Sequence, residues 1–236
     1  MKRLLQVSVI LVLFFLPLSS YSDMRSYVWT YEYMIMEPGR AEIEHYLTVS
    51  SQNLKSIKGQ SSIEHKLEVE VGMTKHFDFS IYQKFVQLPE KSFQYTGFDL
   101  RARFLIGEKN QFLLDPLIYV EYGSNATFSA HKLETKLILA KDIGRFNFVF
   151  NPILEIEYED ETEFVFEYAF ATRYEFSKLF RAGVEFKGDK DVHYIGFVFS
   201  HGKENLWIAA APTFMFSKNL NSKPEFQFRM ILGLGL

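Results

Sequence analysis

The chain has 236 residues, no Cys, 25 Phe and 13 Tyr, and a formal charge of −3. Without Cys there are no disulfides and no thiolate metal sites, and an acidic balance argues against a nucleic-acid partner. Aromatics at 17% with a mean hydropathy of −0.06 demand either a large core or a surface that faces lipid.

The first residues are built for export. Lys2 and Arg3 precede an apolar run from Leu4 to Leu18, and Ser20-Tyr21-Ser22 places small residues where a signal peptidase reads. Residues 1–22 therefore read as a signal peptide cleaved after Ser22. The run is short for a membrane-spanning helix, and no Cys follows it to carry a lipid anchor. Losing Lys2 and Arg3 with it takes the formal charge from −3 to −5.

Residues 23–38 form an arm in which Tyr27, Trp29, Tyr31 and Tyr33 alternate before Pro38. The plainer reading is a periplasmic tail or an extension of the first strand. The sharper one is a latch or plug folded into a lumen.

From residue 39 to 236 the dominant signal is alternation. Between Phe146 and Tyr158 every even residue is apolar, aromatic or Pro, while the odd set holds Asn147, Asn151, Glu155 and Glu157. Successive side chains of a strand point to opposite faces, so one face is greasy and the other mostly polar. The same pattern predicts strands near 40–50, 62–72, 77–87, 95–106, 112–123, 131–140, 145–158, 163–176, 180–188, 192–200, 206–216 and 225–236. The fold class is all-β: a transmembrane, antiparallel, up-and-down barrel of about 12 strands.

Link lengths alternate as well. Short links near 72–76, 107–111, 141–144, 177–179 and 201–205 suit periplasmic turns; longer or more charged ones near 51–61, 88–94, 124–130, 159–162, 188–191 and 217–224 suit outer loops. Pro116, Pro152 and Pro212 fall inside strands on the outward face, where local bulges would accommodate them. The last strand alternates through Phe226, Phe228, Met230, Leu232 and Leu234 to Leu236. It resembles the C-terminal strand read by the barrel-assembly machinery, although that signal usually ends in Phe. The stretches from His65 to Val71 and from His131 to Leu137 are close copies, four strands apart.

Two short motifs carry a family resemblance. Glu37-Pro38-Gly39-Arg40, followed by Glu42 and Glu44, opens the first strand, and Gly72-Met73-Thr74 opens a hairpin turn. Together they resemble the phenol-degradation meta-pathway (MetA-like) outer-membrane porin family. That resemblance implies a barrel and, at most, transport of organic compounds; it carries no catalytic residues.

The inward face is dense in charge: Glu42, Glu44, Glu68, Glu70, Asp99, Arg101, Arg103, Asp115, Glu121, Glu134, Lys136, Glu155, Glu157, Glu167, Arg173, Arg181 and Arg229. These line a water-filled path, or they cross-pair and close the lumen, with Arg101, Arg103, Arg173 and Arg181 as the natural carboxylate partners. Near the periplasmic end of the last strands Val198, Ser200, Ala209, Ala211 and Gly233 leave space that the arm could fill.

On the outward face His45, His65 and Gln83 form a polar patch. A turn symmetric about Thr74 would set His65 opposite Gln83. A lipid-face hydrolase would need a Ser nucleophile beside such a base, and no Ser joins the patch. His131 and His193 sit at similar positions, which favours an interfacial role; an oligomer contact is the other reading. No catalytic set, metal site or cofactor is expected. The leading function is a passive channel for small solutes or hydrophobic organic compounds. A structural or interaction barrel with a closed lumen is the alternative, and a soluble periplasmic β-protein a third.

Overall fold

A computed structural model describes residues 24–54, 61–203, 205–217 and 223–236. The expected signal peptide lies outside them. Twelve strands run β1 (Ala41–Ser51), β2 (Ser61–Thr74), β3 (Phe77–Gln87), β4 (Gln94–Leu105), β5 (Asp115–Asn125), β6 (His131–Ile143), β7 (Phe146–Tyr158), β8 (Thr162–Ser177), β9 (Phe180–Gly188), β10 (His193–Lys203), β11 (Leu206–Met215) and β12 (Phe226–Gly235). Each pairs antiparallel with its sequence neighbour, and β1 closes on β12 with Glu42 opposite Gly235 and Ser51 opposite Phe226. Closure leaves no free edge.

Alternation decides what each face does. Along β7, Asn147, Val149 and Asn151 are buried while Phe146, Phe148 and Phe150 are exposed. The outward rows continue through Phe164, Phe166, Phe170, Phe197, Phe199, Leu232 and Leu234. Among the described residues no second sheet covers them. Such a continuous apolar girdle has lipid as its natural solvent.

One end of the barrel carries tight links at 75–76, 144–145, 178–179 and 204–205. The other carries longer ones, including 52–60, 88–93 and 216–225. The link between β4 and β5 breaks this pattern. It runs over 106–114 because β5 starts at Asp115, not near residue 112, and Gly107 and Asn110 adopt positive φ within it.

The prolines make no bulges. Pro116 lies opposite Leu139, Pro152 opposite Tyr168 and Pro212 opposite Phe228, all in unbroken register. On the other side of Pro152 and Pro212 the ladder skips two pairs, and the pairs flanking each gap keep the same register. Register shifts fall instead at Gly72/Thr74, Lys84/Phe85 and Glu175/Ser177. The β2–β3 turn lies at 75–76 and not at Thr74, so His65 stands opposite Phe85 and Leu67 opposite Gln83, which corrects the symmetric-turn expectation.

The two motifs behind the family resemblance meet in space. Gly39 N–H donates to the Gly72 carbonyl at 2.9 Å, and Gly72 N–H donates to the Arg40 carbonyl at 2.9 Å. A Cβ on Gly72 would lie 1.9 Å from the Glu37 carbonyl oxygen, and Gly39 has φ +75°. Glycine at both positions thus lets the arm turn into β1 directly against the β2–β3 hairpin.

Candidate functional site

In the half of the lumen nearer the tight turns, period-2 spacing aims Arg101 and Arg103 of β4 at the carboxylates of β2 and β3. Arg101 Nη2 lies 2.7 Å from Glu68 and 2.5 Å from Glu70. Arg103 Nε donates to both oxygens of Asp78, at 3.1 and 3.0 Å, while its Nη2 reaches Glu70 and Asp78. All of these groups are buried. The Tyr46 hydroxyl joins Glu44 to Glu68 and accepts from Arg25 Nη1 at 2.8 Å. Trp207 Nε1 donates to Glu42. Glu44, Glu68 and Glu70 stand close enough to hold an ion, but Arg101 already pairs with two of them.

Toward the long loops the pairs are wetter. Asp99 meets Lys84 at 2.5 Å and Lys66 at 3.4 Å, Glu134 meets Lys136 at 2.9 Å, and Glu155 meets Lys132 at 2.9 Å. Glu121 accepts from Tyr119 at 2.6 Å. At the opposite end, beside the tight turn at 178–179, Arg173 and Arg181 share Glu175 at 3.6 and 3.3 Å. Three members of the expected network stand apart from it. Asp115 accepts from the Asn110 N–H at 2.7 Å and so orders the β4–β5 link; Glu157 is exposed near the loops; Glu167 lines a cavity. Asp78 and Lys84 were not in the expected network. Both share the inward parity of Ser80 and Tyr82, which is the signal that identifies them.

The arm occupies the lumen. Arg181 Nη1 donates to the Met24 carbonyl at 3.1 Å near the tight turns. The chain then rises to mid-barrel, where Glu185 accepts the consecutive N–H groups of Val28, Trp29 and Thr30 at 3.1, 3.0 and 2.9 Å. It descends past Asn151 and reaches the β3 end, where Met36 N–H donates to Asp78 at 3.0 Å. Ser26 N–H donates to Glu32 at 2.7 Å, tying the two limbs into a compact loop. Tyr27, Val28 and Tyr31 pack with Ala171, Val198, Ala209 and Ala211. Tyr27 also donates to Asn147 at 2.9 Å, and Tyr33 donates to the Gly107 carbonyl at 2.8 Å.

Tyr31 sits at the centre of this packing. Its ring lies 4.8 Å from that of Tyr119, with Arg25 at 4.2 Å, Lys136 at 4.8 Å and Arg101 at 5.7 Å from its centroid. Such desolvated cation–π contacts fix the ring from several directions. Residues on either side of it face different cavities. Val28, Trp29 and Tyr31 floor a cavity of about 390 Å³ toward the long loops, and Glu32, Tyr33 and Met34 border one of about 150 Å³ toward the tight turns. The arm is thus a septum across the lumen.

The outward polar patch divides in two. His45 Nε2 and His65 Nδ1 are 3.0 Å apart in hydrogen-bond contact, and Phe93 packs edge-on to His65 at 5.4 Å. Gln83 instead accepts from Tyr95 at 3.0 Å. His131 and His193 likewise contact Tyr122 at 2.8 Å and Tyr168 at 3.2 Å. Each of these four His residues therefore has an aromatic or His partner.

No family model matches this chain, and no curated protein matches it. Solved porin structures share its fold. "KdgM porin in complex with disordered oligogalacturonate" aligns with TM-score 0.58 and 11% identity over 83% of this chain and 97% of that one. The NanC porin aligns with TM-score 0.57 and 10% identity over 83% and 100%.

Proposed function

We propose that the protein is an outer-membrane channel whose own N-terminal arm closes it, and that small solutes pass when the arm moves. The carrying observation is the septum: Val28, Trp29 and Tyr31 face one cavity while Glu32, Tyr33 and Met34 face the other. Side chains of the wall hold it, rather than strand pairing with the barrel. A segment held this way detaches without opening the sheet. The exposed Phe rows and the fold shared with two porins support the membrane setting. The tight turns then face the periplasm and the long loops the exterior.

The outer cavity is walled by Lys132, Glu134, Lys136, Tyr119 and Tyr194. This favours a water-soluble solute over the hydrophobic compounds that the MetA-like resemblance suggests. The cluster of Arg101 and Arg103 with Glu68, Glu70 and Asp78 favours a second reading, a structural barrel closed by its own charges. Planar-bilayer conductance separates the two. Deleting residues 24–36 raises single-channel conductance if the arm is the plug. An unchanged, near-zero conductance in the deletion variant would establish the closed barrel instead.

A further inference from the structure

Trp29, like Tyr31, is gripped by cations, but its two lie closer to the ring. Lys187 Nζ lies 3.2 Å from the centroid of its ring and Arg229 Cζ 3.6 Å. Its indole N–H donates to Thr213 at 3.0 Å. Both cations line the outer cavity of about 390 Å³ together with Trp29, so a solute in that cavity reaches them and the arm at one place.

The cations there are not equally paired. Lys66, Lys132 and Lys136 each pair with a carboxylate, at 3.4, 2.9 and 2.9 Å. Among the described residues Lys187 forms no ion pair, and its ammonium rests on the rings of Trp29 and Tyr194. Glu185 is taken up by the arm amides, and Glu167 lines the same cavity beyond ion-pair distance of Lys187. Arg229 donates from Nε to Thr48 at 2.8 Å and approaches Glu64 only at 3.9 Å. An ammonium and a guanidinium therefore converge beside one cavity with hydrogen-bonding capacity left over.

We propose that Lys187 and Arg229 form a binding site for the carboxylate of a small organic anion, and that filling it loosens Trp29 and so releases the arm. A carboxylate is a stronger partner for both cations than an indole face. Once drawn to the anion, they hold Trp29 less tightly. The solute thus opens its own path. Linkage makes the effect reciprocal: whatever weakens the Trp29 contact raises affinity for the anion. The gating half of this rests on the channel reading; the binding half does not.

The test uses the full mature chain refolded in detergent, with succinate as the probe and choline chloride at matched ionic strength as the control. The chain has two Trp, so Trp207→Phe leaves Trp29 as the reporter; calorimetry on the unmodified chain covers the case in which that variant folds poorly. Succinate is expected to bind saturably and to shift Trp29 emission. Binding should weaken about tenfold or more in Lys187→Gln and in Arg229→Gln, and tighten in Trp29→Ala. No saturable binding, or binding indifferent to both cation substitutions, overturns the site. Binding that leaves Trp29 emission unchanged overturns the coupling. Succinate binding in a protein that never conducts, even without residues 24–36, refutes the channel and keeps the site.

Discussion

Asn151 holds the backbone of Tyr31 from both sides: its Oδ1 accepts from the Tyr31 N–H at 2.7 Å, and its Nδ2 donates to the Tyr31 carbonyl at 3.1 Å. One buried side chain thus does for the arm what a neighbouring strand would do. Asn151→Leu removes both bonds and orphans a buried N–H. Docking of the arm should weaken by about 1–3 kcal/mol, a roughly 5- to 150-fold rise in the undocked fraction. Hydrogen exchange of the amides at 24–36 in the refolded barrel reads this directly. Protection equal to that of the parent chain would mean that Asn151 does not hold the arm.

Glu185 should matter at least as much. A carboxylate has enough lone pairs for the N–H groups of Val28, Trp29 and Thr30. In Glu185→Gln one oxygen becomes an NH2 group that faces donors. At least one amide loses its acceptor, at a cost of about 1–3 kcal/mol. The expected result is faster exchange at Val28–Thr30 and more frequent openings in bilayers, with heat-modifiable gel migration intact. Loss of folding altogether would show instead that the arm is needed to assemble the barrel.

The sheet was far more legible than the plug. Period-2 alternation is a local signal, so β7 and β12 could be read from runs such as Phe146, Phe148 and Phe150. The arm carries the same alternation of Tyr27, Trp29, Tyr31 and Tyr33, yet it is not a strand. Its hydrogen bonds go to Glu185, Asn151 and Asp78, which lie 42 to 157 residues away. No local pattern encodes those partners. The register near His65 differs from a turn centred on Thr74 because β2 runs on to Thr74 and the turn falls at 75–76; one displaced turn moves every pair of the hairpin. Glu32 and Arg25 escaped notice because the arm was read through its aromatics alone.

Two glycines in that corner separate space from backbone strain. Gly72→Ala would drive a Cβ to 1.9 Å from the Glu37 backbone oxygen. Backbone must then move, and both hydrogen bonds that tie Gly39 and Arg40 to Gly72 are at risk. The folded, heat-modifiable fraction should drop sharply. Gly39→Ala meets nothing within 4 Å but must hold φ +75°, for which about 1 kcal/mol is the expected cost. Similar folding yields for the two variants would sink the claim that the arm is clamped against this hairpin.

Arg101 provides the sharpest measure of how dry the lumen is. Its guanidinium bridges Glu68 and Glu70, and all three are essentially buried. Arg101→Met leaves Glu68 without a cation and Glu70 with Arg103 alone in a low-dielectric interior, which should cost about 3–5 kcal/mol in urea unfolding of the refolded barrel. Arg181 pairs with Glu175, a side chain 33% exposed, and donates to the Met24 carbonyl; losing both should cost about 1–2 kcal/mol. The double change Arg101→Met with Glu68→Gln should recover part of the loss, since a neutral amide no longer needs the cation. If Arg101→Met proves as mild as Arg181→Met, water reaches the cluster. In that case the arm alone, and not the charge network beneath it, closes the barrel.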